Sequence, residues 1–484
     1  MPFYQRNRSL VRVCMVGAKA ASGEVTPTPG IIPVTHAMLG RALGRVARWE
    51  RPVGKEGKEL VRIDPPRPVV EQIADMAGEW PFPPLAGVIG TPTMRPDGTL
   101  LIEEGYDDAT GLVLISSPPM PSMPSEPTKR DAEIALALID GLLDEFPFAD
   151  IGKATQSINR AVALSQLMTP VLRGALAPAV PLHVDKAPQP GTGKSYLADI
   201  ASMMATGDRC AVIAAAPKPE ETEKRLVAAA LAGFPIIALD NCSDVIEGDF
   251  LCQVTERPIL QLRPLGTSEA VRVANTFSVF TNGNNATVAG DMVRRTLQCA
   301  LDANMENPET RQFRADPVAE VRQNRGAFIA ACLTVARAYI CAGMPCRLPP
   351  IPSFGAWSDL VRSPLVWLDR PDPVETMRAT RSADPVRQIR ASVFSAWAQE
   401  LGMGGAYLTS DLVDRANDRA PNGEWSRPNI RSALLDIARD RSGDIDSRRL
   451  GKWLSTAENN VANSLKLTSD RGNIARPRWV LVPA

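Results

Sequence analysis

The middle of the chain alternates short apolar runs with longer segments of helical spacing. Apolar runs occupy residues 180–184, 235–239 and 277–280, each about the length of one strand. Strands that are apolar on both faces are typical of a parallel sheet covered by helices. The alternation from residue 180 to about residue 303 therefore predicts βαβ units and an α/β fold with a mostly parallel sheet.

Smaller domains are predicted on both sides of this core. Short strands, two helices and a closing hairpin precede it, five prolines within thirteen residues favour a semi-rigid polyproline II spacer, and helices followed by a basic hairpin end the chain. The predicted divisions are an α+β accessory domain (1–115), a proline-rich linker (116–128), an α/β core (129–315), a helical lid (316–380) and a winged-helix-like DNA-binding domain (385–484).

Charge and composition limit the partners. Lys and Arg number 54, as do Asp and Glu, so the formal net charge is zero and any nucleic-acid contact must come from a local patch. No apolar run approaches a membrane span, and the N-terminus lacks the apolar core of a signal peptide. These features predict a cytoplasmic protein without a membrane partner. The sequence contains no Cys-x-x-Cys pair, so the cysteines do not predict a structural zinc site.

Residues 188–195, Pro-Gln-Pro-Gly-Thr-Gly-Lys-Ser, follow the first apolar run and precede a helical segment. Glycines let successive N–H groups face a phosphate, so this segment predicts a phosphate-binding loop for ATP, although Pro188 stands where the strict signature has glycine. Lys194 is expected to reach the β- and γ-phosphates and Ser195 to ligate Mg²⁺. The predicted nucleotide-binding residues are Pro190, Gly191, Thr192, Gly193, Lys194 and Ser195.

Asp240 ends the second apolar run, the position of a magnesium-holding Walker-B aspartate; the alternative is a residue that caps a helix. The next residue, Asn241, can orient water but cannot accept its proton. Another carboxylate is then needed as the base. Glu221, in an acidic segment before this run, is a candidate, and the alternative is an exposed helix face with i,i+4 ion pairs.

Three further features complete the predicted site. Asn284 ends the third run, where its side chain can contact the γ-phosphate and the water, unless it only forms a turn. Arg294 and Arg295 follow at the spacing of an arginine finger that reaches a neighbouring subunit. Residues 259–273 predict a hairpin from which Arg263 and Arg272 contact DNA; a plain surface hairpin is the alternative.

These motifs, in this order, resemble the helicase module of phage and mobile-element primase-helicases. That module is related to superfamily 3 and, more loosely, to the MCM-like AAA+ ATPases. The segments that carry the resemblance are 221–226, 237–241, 263–266, 281–285 and 290–295.

The resemblance implies an AAA+ core that uses ATP and Mg²⁺ to translocate on single-stranded or forked DNA as a homo-oligomeric ring, expected to be a hexamer. It also implies replication of a mobile element and favours Glu221 as the missing base. The first 115 residues lack a carboxylate cluster for two metals, so a separate primase or initiator is expected as a partner.

Two rival functions remain open at this point. One is an AAA+ protein that remodels other proteins or loads clamps; the predicted hairpin and C-terminal domain argue against it. The other is an origin-binding initiator that uses ATP as a slow switch. Asn241 supports the initiator, because a site without a strong base can hold ATP for longer.

Overall fold

The computed structural model describes residues 2–19, 25–53, 59–150, 157–176, 179–216, 219–242, 245–264, 270–470 and 477–484. The chain divides into two compact units. The first unit comprises Met1–Ala286 and Arg295–Met377, and the second comprises Thr287–Arg294 and Arg378–Ala484.

The N-terminal part of the first unit consists of short strands and two helices. Its sheets have the orders β1-β2-β3 and β6-β10-β9, with β4-β5 and β7-β8 as separate pairs. The predicted closing hairpin is present, since β9 pairs antiparallel with β10. The elements are β1 (Tyr4–Arg6), β2 (Ser9–Lys19), β3 (Val25–Pro33), α1 (His36–Val46), β4 (Glu50–Val53), β5 (Glu59–Arg62), α2 (Arg67–Ala74), β6 (Gly87–Ile89), β7 (Thr93–Met94), β8 (Leu100–Leu101), β9 (Gly105–Asp107) and β10 (Leu112–Leu114).

The remainder of the first unit is a mixed α/β core. Its elements are α3 (Lys129–Gly141), α4 (Ile158–Val171), β11 (Leu182–Ala187), α5 (Lys194–Thr206), β12 (Val212–Ala214), α6 (Pro219–Ala232), β13 (Ile236–Asp240), α7 (Asp249–Glu256), β14 (Ile259–Leu262), β15 (Val271–Ala274), β16 (Ser278–Asn284), β17 (Thr296–Ala300), α8 (Pro317–Cys341), α9 (Gly355–Trp357) and α10 (Ser363–Trp367). A 3₁₀ turn covers Pro308–Thr310 and a π-helical turn Ser358–Arg362.

Five strands form the central sheet in the order β12-β13-β16-β11-β17. All four neighbouring pairs are parallel. The inner strands are buried along most of their length, as expected for strands covered on both faces. The predicted α/β class with a parallel sheet is therefore confirmed.

The N-terminal part is fixed to this core by the residues around β7. Thr91 Oγ1 donates to Ala205 O at 2.5 Å, and Thr93 Oγ1 donates to Val171 O at 2.7 Å. The partly buried Arg325 guanidinium donates to Gly90 O at 2.7 Å. The two threonine bonds satisfy carbonyl groups at the ends of α5 and α4, so residues 90–93 complete the core as well as connect to it.

Two segments differ from their predictions, which are a spacer for residues 116–128 and a helical lid for residues 316–380. Met120 and Met123, in the proline-rich segment, pack against the main core, and Arg337 on α8 donates to Ser125 O at 2.5 Å. Helix α8 itself packs on α3 and α5 and contributes buried residues to the same core. Residues 116–128 thus lie along α8, and the long helix of the predicted lid is a central part of the core.

The second unit has its own hydrophobic core, formed by residues between Val393 and Leu481. It contains a 3₁₀ turn (Gly290–Arg294) and the C-terminal part of α11 (Glu375–Ala383), and the rest is α12 (Pro385–Glu400), β18 (Ala406–Tyr407), α13 (Thr409–Asn417), α14 (Pro428–Ala438), α15 (Ser447–Ala457), β19 (Val461–Ala462), β20 (Leu465–Asp470) and β21 (Arg478–Pro483). The sheet order is β18-β21-β20-β19.

The predicted terminal hairpin is confirmed in its two arms, because β20 pairs antiparallel with β21. Residues 471–473 of its predicted turn lie outside the described residues. None of the helices in the described part of the chain is both long and apolar enough to cross a membrane.

Candidate phosphate-binding site

Three parallel strands of the central sheet end at one edge and bring the predicted residues together there. Strand β11 leads into residues 188–193, β13 ends at Asp240 and β16 ends at Asn284. Because β16 lies between β11 and β13, the side chains at its end can reach both neighbours. The crevice at the carboxyl ends of parallel strands is where such sheets usually bind ligands.

The loop after β11 depends on two glycines with positive φ. Gly191 has φ 73° and Gly193 has φ 103°, and α5 begins directly afterwards. A Cβ atom on Gly191 would lie 3.0 Å from Glu309, and one on Gly193 would lie 3.2 Å from the Phe146 ring. The loop therefore needs glycine for both conformation and space, and it ends at a helix N-terminus, where backbone N–H groups attract anions.

Lys194 is held in the middle of the site. Its ammonium group donates to Asn284 Oδ1 at 2.9 Å, to Gln189 O at 3.1 Å and to Thr192 Oγ1 at 3.3 Å. Burial lowers the pKa of Lys194, while the negative charges of Asp185 and Asp240 oppose that shift. The Lys194–Asn284 bond joins two residues predicted separately from the sequence.

Ser195 and Asp240 also lie together. Ser195 Oγ donates to Asp240 Oδ1 at 3.2 Å, and Asn282 Nδ2 donates to Ser195 Oγ at 3.3 Å. The Asn282 side chain also accepts the N–H of Asn241 at 3.1 Å. Asn282 thus connects the start of α5 with the residue that follows Asp240.

Sequence reasoning missed Asn282, although a signal was available. Successive side chains of a strand point to opposite faces, so a residue two positions before Asn284 lies on the same face of β16. Asn282 is buried and pairs in register with Asp185 on β11. A search for polar residues at period two would have found it.

Asp185 is a buried carboxyl group beneath the loop and was also missed. It accepts a hydrogen bond from Gln166 Nε2 at 2.9 Å and is 1% exposed. Burial raises the pKa of Asp185 to about 7, and the Gln166 bond and the Lys194 charge act in the opposite direction. Asp185 lies two residues before the end of the buried strand β11, and no pattern in the sequence indicated its contact with Gln166.

Asn241 and Glu221 are both exposed. Asn241 has φ 55°, a left-handed conformation that asparagine tolerates. Glu221 lies in the first turn of α6 and pairs with Lys224, with Oε1 and Nζ 2.6 Å apart. The hydrogen bond from Lys224 lowers the pKa of Glu221. In this structure Glu221 is therefore an ionised group bound within its own helix.

The two predicted finger arginines differ in environment. Arg295 is buried, and its Nη1 lies 2.9 Å from Glu256 Oε2 on α7. Its side chain is only 3% exposed, so it is not placed to reach another subunit, which corrects the prediction for this residue. Arg294, in the second unit, is 44% exposed and pairs with Asp291 at 2.6 Å. Only Arg294 is accessible.

The predicted hairpin is present as β14 and β15, which pair antiparallel. Its face containing Leu260, Leu262 and Val273 is buried. Arg263 and Arg272 are exposed; Arg272 pairs with Gln261 on the opposite face, and Arg263 directly follows β14. Residues 265–269, the predicted tip, lie outside the described residues.

The residues gathered at this edge of the sheet fit a nucleoside triphosphate with Mg²⁺. The hydroxyl of Ser195 and the carboxylate of Asp240 are oxygen ligands of the kind Mg²⁺ prefers. The Lys194 ammonium supplies positive charge beside the glycine loop. Lys194, Ser195, Asp240, Asn282 and Asn284 thus form one polar edge that can hold phosphate and metal together.

Comparison with known proteins does not identify a family. No family model matches the chain, and no curated protein matches its sequence. The solved structures that are loosely similar to the chain include two of one protein region. "The A form apo structure of NrS-1 C terminal region-CTR" is 11% identical with a TM-score of 0.38, and a second structure of that region, "CTR(305-718)", is 12% identical with a TM-score of 0.34. Each comparison covers 94% of both chains. At these TM-scores the function has to be argued from the geometry of the site.

Proposed function

We propose that this chain is an ATP-dependent DNA translocase or helicase with an AAA+ core, which acts as a hexameric ring in the replication of a phage or another mobile element. The observation that carries the proposal is the convergence of Lys194, Ser195, Asp240 and Asn284 at one edge of the parallel sheet. Isolated motifs occur by chance, but side chains from three strand ends in mutual hydrogen-bond contact support a single nucleotide site.

In this proposal each residue has one task. The loop N–H groups and Lys194 bind the phosphates, while Ser195 and Asp240 hold Mg²⁺ with Asn282 fixing the serine hydroxyl. Mg²⁺ held by Ser195 and Asp240 would supply positive charge beside the phosphate oxygens. Asn284 exchanges its bond from Lys194 for contact with the γ-phosphate and the attacking water.

The proton acceptor and the subunit contact complete the proposal. Asn241 orients water without accepting its proton, so Glu221 acts as the base once its Lys224 pair opens. Arg294 is the finger that reaches the ATP of a neighbouring subunit, since its guanidinium is accessible. The exposed arginines of the hairpin, Arg263 and Arg272, contact the DNA backbone.

A second function is favoured by one observation. The residue after Asp240 is an amide, and the proposed base Glu221 is bound to Lys224. A site in this state hydrolyses ATP slowly, which suits an origin-binding initiator switched by ATP. DNA stimulation of hydrolysis distinguishes the two functions.

The test is the steady-state ATPase rate without DNA, with single-stranded DNA and with forked duplex. We expect DNA to stimulate the wild-type rate strongly, Lys194→Ala to abolish hydrolysis, and the double variant Arg263→Ala/Arg272→Ala to lose the stimulation while keeping the basal rate. Lys129→Ala is the matched control, because this exposed lysine lies over the Trp367 ring, outside the site.

A slow rate that ignores DNA, despite measurable ATP binding, would reject the translocase in favour of the initiator. Loss of activity in Lys129→Ala equal to that in Lys194→Ala would remove the support for the proposed site.

A further inference from the structure

An open cavity in the second unit lies between two helices and a turn. It has a volume of about 380 Å³, and arginine and amide side chains dominate its walls. No carboxylate or aromatic residue is among the lining residues, all of which the structure describes. The polar residues around it, called the arginine cavity below, are Arg378, Arg381, Ser382, Arg387, Gln388 and Asn463.

The walls of the arginine cavity are fixed by hydrogen bonds. Gln388 Nε2 on α12 donates to Ser382 O on α11 at 2.9 Å, which joins the two helices at their corner. Asp384, the carboxylate at that corner, caps α12 by accepting the N–H of Val386 at 3.0 Å. On the third side, Asn463 Nδ2 donates to Ser395 Oγ at 3.0 Å and ties the β19–β20 turn to α12.

The three arginines of the arginine cavity form no ion pair with the described residues, although the Asp384 carboxylate lies nearby and acts on Arg390. Arg378 and Arg381 lie three residues apart and so share one face of α11, and Arg387 follows in the first turn of α12. All three are exposed, and no ion pair among the described residues includes any of them. Three gathered like charges repel one another, and binding of an anion relieves that repulsion.

The lining chemistry selects the kind of anion. A guanidinium group binds phosphate through two parallel N–H groups, and amide side chains commonly donate to the phosphates and sugars of nucleic acids. The described lining contains no aromatic side chain, the usual platform on which bases stack, whereas its guanidinium and amide groups are donors that match phosphate oxygens. The walls therefore suit a sugar-phosphate backbone without preference for sequence.

We propose that the arginine cavity binds the phosphodiester backbone of a DNA strand and is a DNA contact additional to the β14–β15 hairpin. This inference rests on the proposed function, because the arginine cavity would give the second unit its own contact with the DNA on which the translocase acts. It predicts binding that depends strongly on salt and weakly on base sequence.

The experiment measures binding of a labelled oligothymidylate to the full chain, by fluorescence anisotropy, across a range of KCl concentrations. The test variant is Arg378→Gln/Arg381→Gln/Arg387→Gln. Each phosphate contact contributes roughly 0.7 to the slope of log K against log salt for single strands, so we expect the slope to become less steep by about 2. Affinity at low salt should fall correspondingly.

The matched control is Arg419→Gln/Arg427→Gln/Arg449→Gln, which removes the same charge from the same unit. These guanidinium groups already contact Trp425, Asp418 and Asp446 respectively. We expect this control to keep the wild-type slope. Circular dichroism of both triple variants, and an Arg→Lys version of the test variant that keeps the charge and the slope, separate binding from misfolding.

Each outcome decides a different point. If the wild type binds DNA and the folded test variant shows the same salt slope, the inference about the arginine cavity is wrong, while the proposed function still stands. A wild type that neither binds DNA nor hydrolyses ATP faster with DNA overturns both. A test variant that keeps DNA binding but loses a fluorescent ATP analogue assigns the cavity to nucleotide and likewise overturns the inference.

Discussion

At the scale of single residues, the chemistry of Asn282 explains why an amide occupies that position. Its oxygen accepts the Asn241 N–H while its nitrogen donates to Ser195 Oγ. An ionised aspartate at this position could accept the Asn241 N–H but could not donate a hydrogen bond to Ser195 Oγ. Alanine could make neither bond. One neutral side chain therefore aligns two parts of the candidate site without adding charge beside Asp240.

The raised pKa of Asp185 gives a pH-dependent stability prediction. The ordinary value is 3.8 and burial raises it to about 7, so between these values the unfolded chain is ionised while the folded chain keeps the proton. Stability from this residue is therefore lost as pH rises from about 4 to about 7, by at most about 4 kcal/mol. Asp185→Asn removes that penalty, and its stability advantage in urea unfolding should grow by about 3 kcal/mol between pH 5 and pH 8.

The control for this prediction is Asp97→Asn. Asp97 is exposed, and its hydrogen bond with Thr99 lowers its pKa, so it is ionised at both pH values in the folded and unfolded chains. Its substitution should change stability equally at pH 5 and pH 8. An Asp185→Asn difference that is also independent of pH would show that Asp185 does not hold a proton in the folded protein.

At the scale of elements, Gly326 allows the proline-rich segment to lie on α8. A Cβ at Gly326 would be 1.9 Å from Pro119 O, whereas a Cβ at Gly141 on α3 would meet nothing within 4 Å. Gly326→Ala should destabilise the protein by about 1–3 kcal/mol through this clash. Gly141→Ala should be neutral or stabilising by up to about 1 kcal/mol, since alanine favours helix. Thermal unfolding of both variants measures the contrast.

Equal effects of the two substitutions would argue against close packing of residues 116–128 on α8. The glycine pair is informative because both positions belong to helices that pack on each other. Helix propensity alone would then predict the same sign of change at both sites.

Patterns that are local in sequence predicted most elements. The apolar runs predicted the buried strands β11, β13 and β16. The alternation of apolar and polar residues predicted the arms of the β14–β15 hairpin. The site was predictable because parallel strands present their carboxyl ends at one edge. Motif order supplied the residues, and topology brought them together.

Contacts between distant elements were not predictable in the same way. Proline content gave the preference of residues 116–128 for extended backbone but not their packing on α8. The spacing that singled out Arg295 could not reveal its ion pair with Glu256, which lies on a different helix. Asp185 carries its raised pKa because of Gln166 and the surrounding core, which no local pattern reports.

At the scale of the whole molecule, the second unit has a separate core. The buried residues of this core cluster all lie between Val393 and Leu481, and they include the large side chains Trp397 and Trp479. A fragment of residues 378–484 contains this core entirely, so we expect it to fold alone. Thermal unfolding followed by tryptophan fluorescence should show one cooperative transition.

A fragment that begins at residue 402 is the control, because it lacks α12 with the buried Phe394 and Trp397. Without these side chains the core loses one wall, and the control should unfold without cooperativity or remain unfolded. If the 378–484 fragment behaves like this control, the second unit depends on the rest of the chain for folding.

Gly283 has a consequence for how this sequence can evolve. A Cβ at this position would lie 2.1 Å from Cys242 O, and the Cys242 N–H donates to Asn282 O at 2.8 Å. Any larger side chain would force apart the ends of β13 and β16, and with them Asp240 and Asn282. At codon 283, every missense change meets purifying selection for as long as the site is in use.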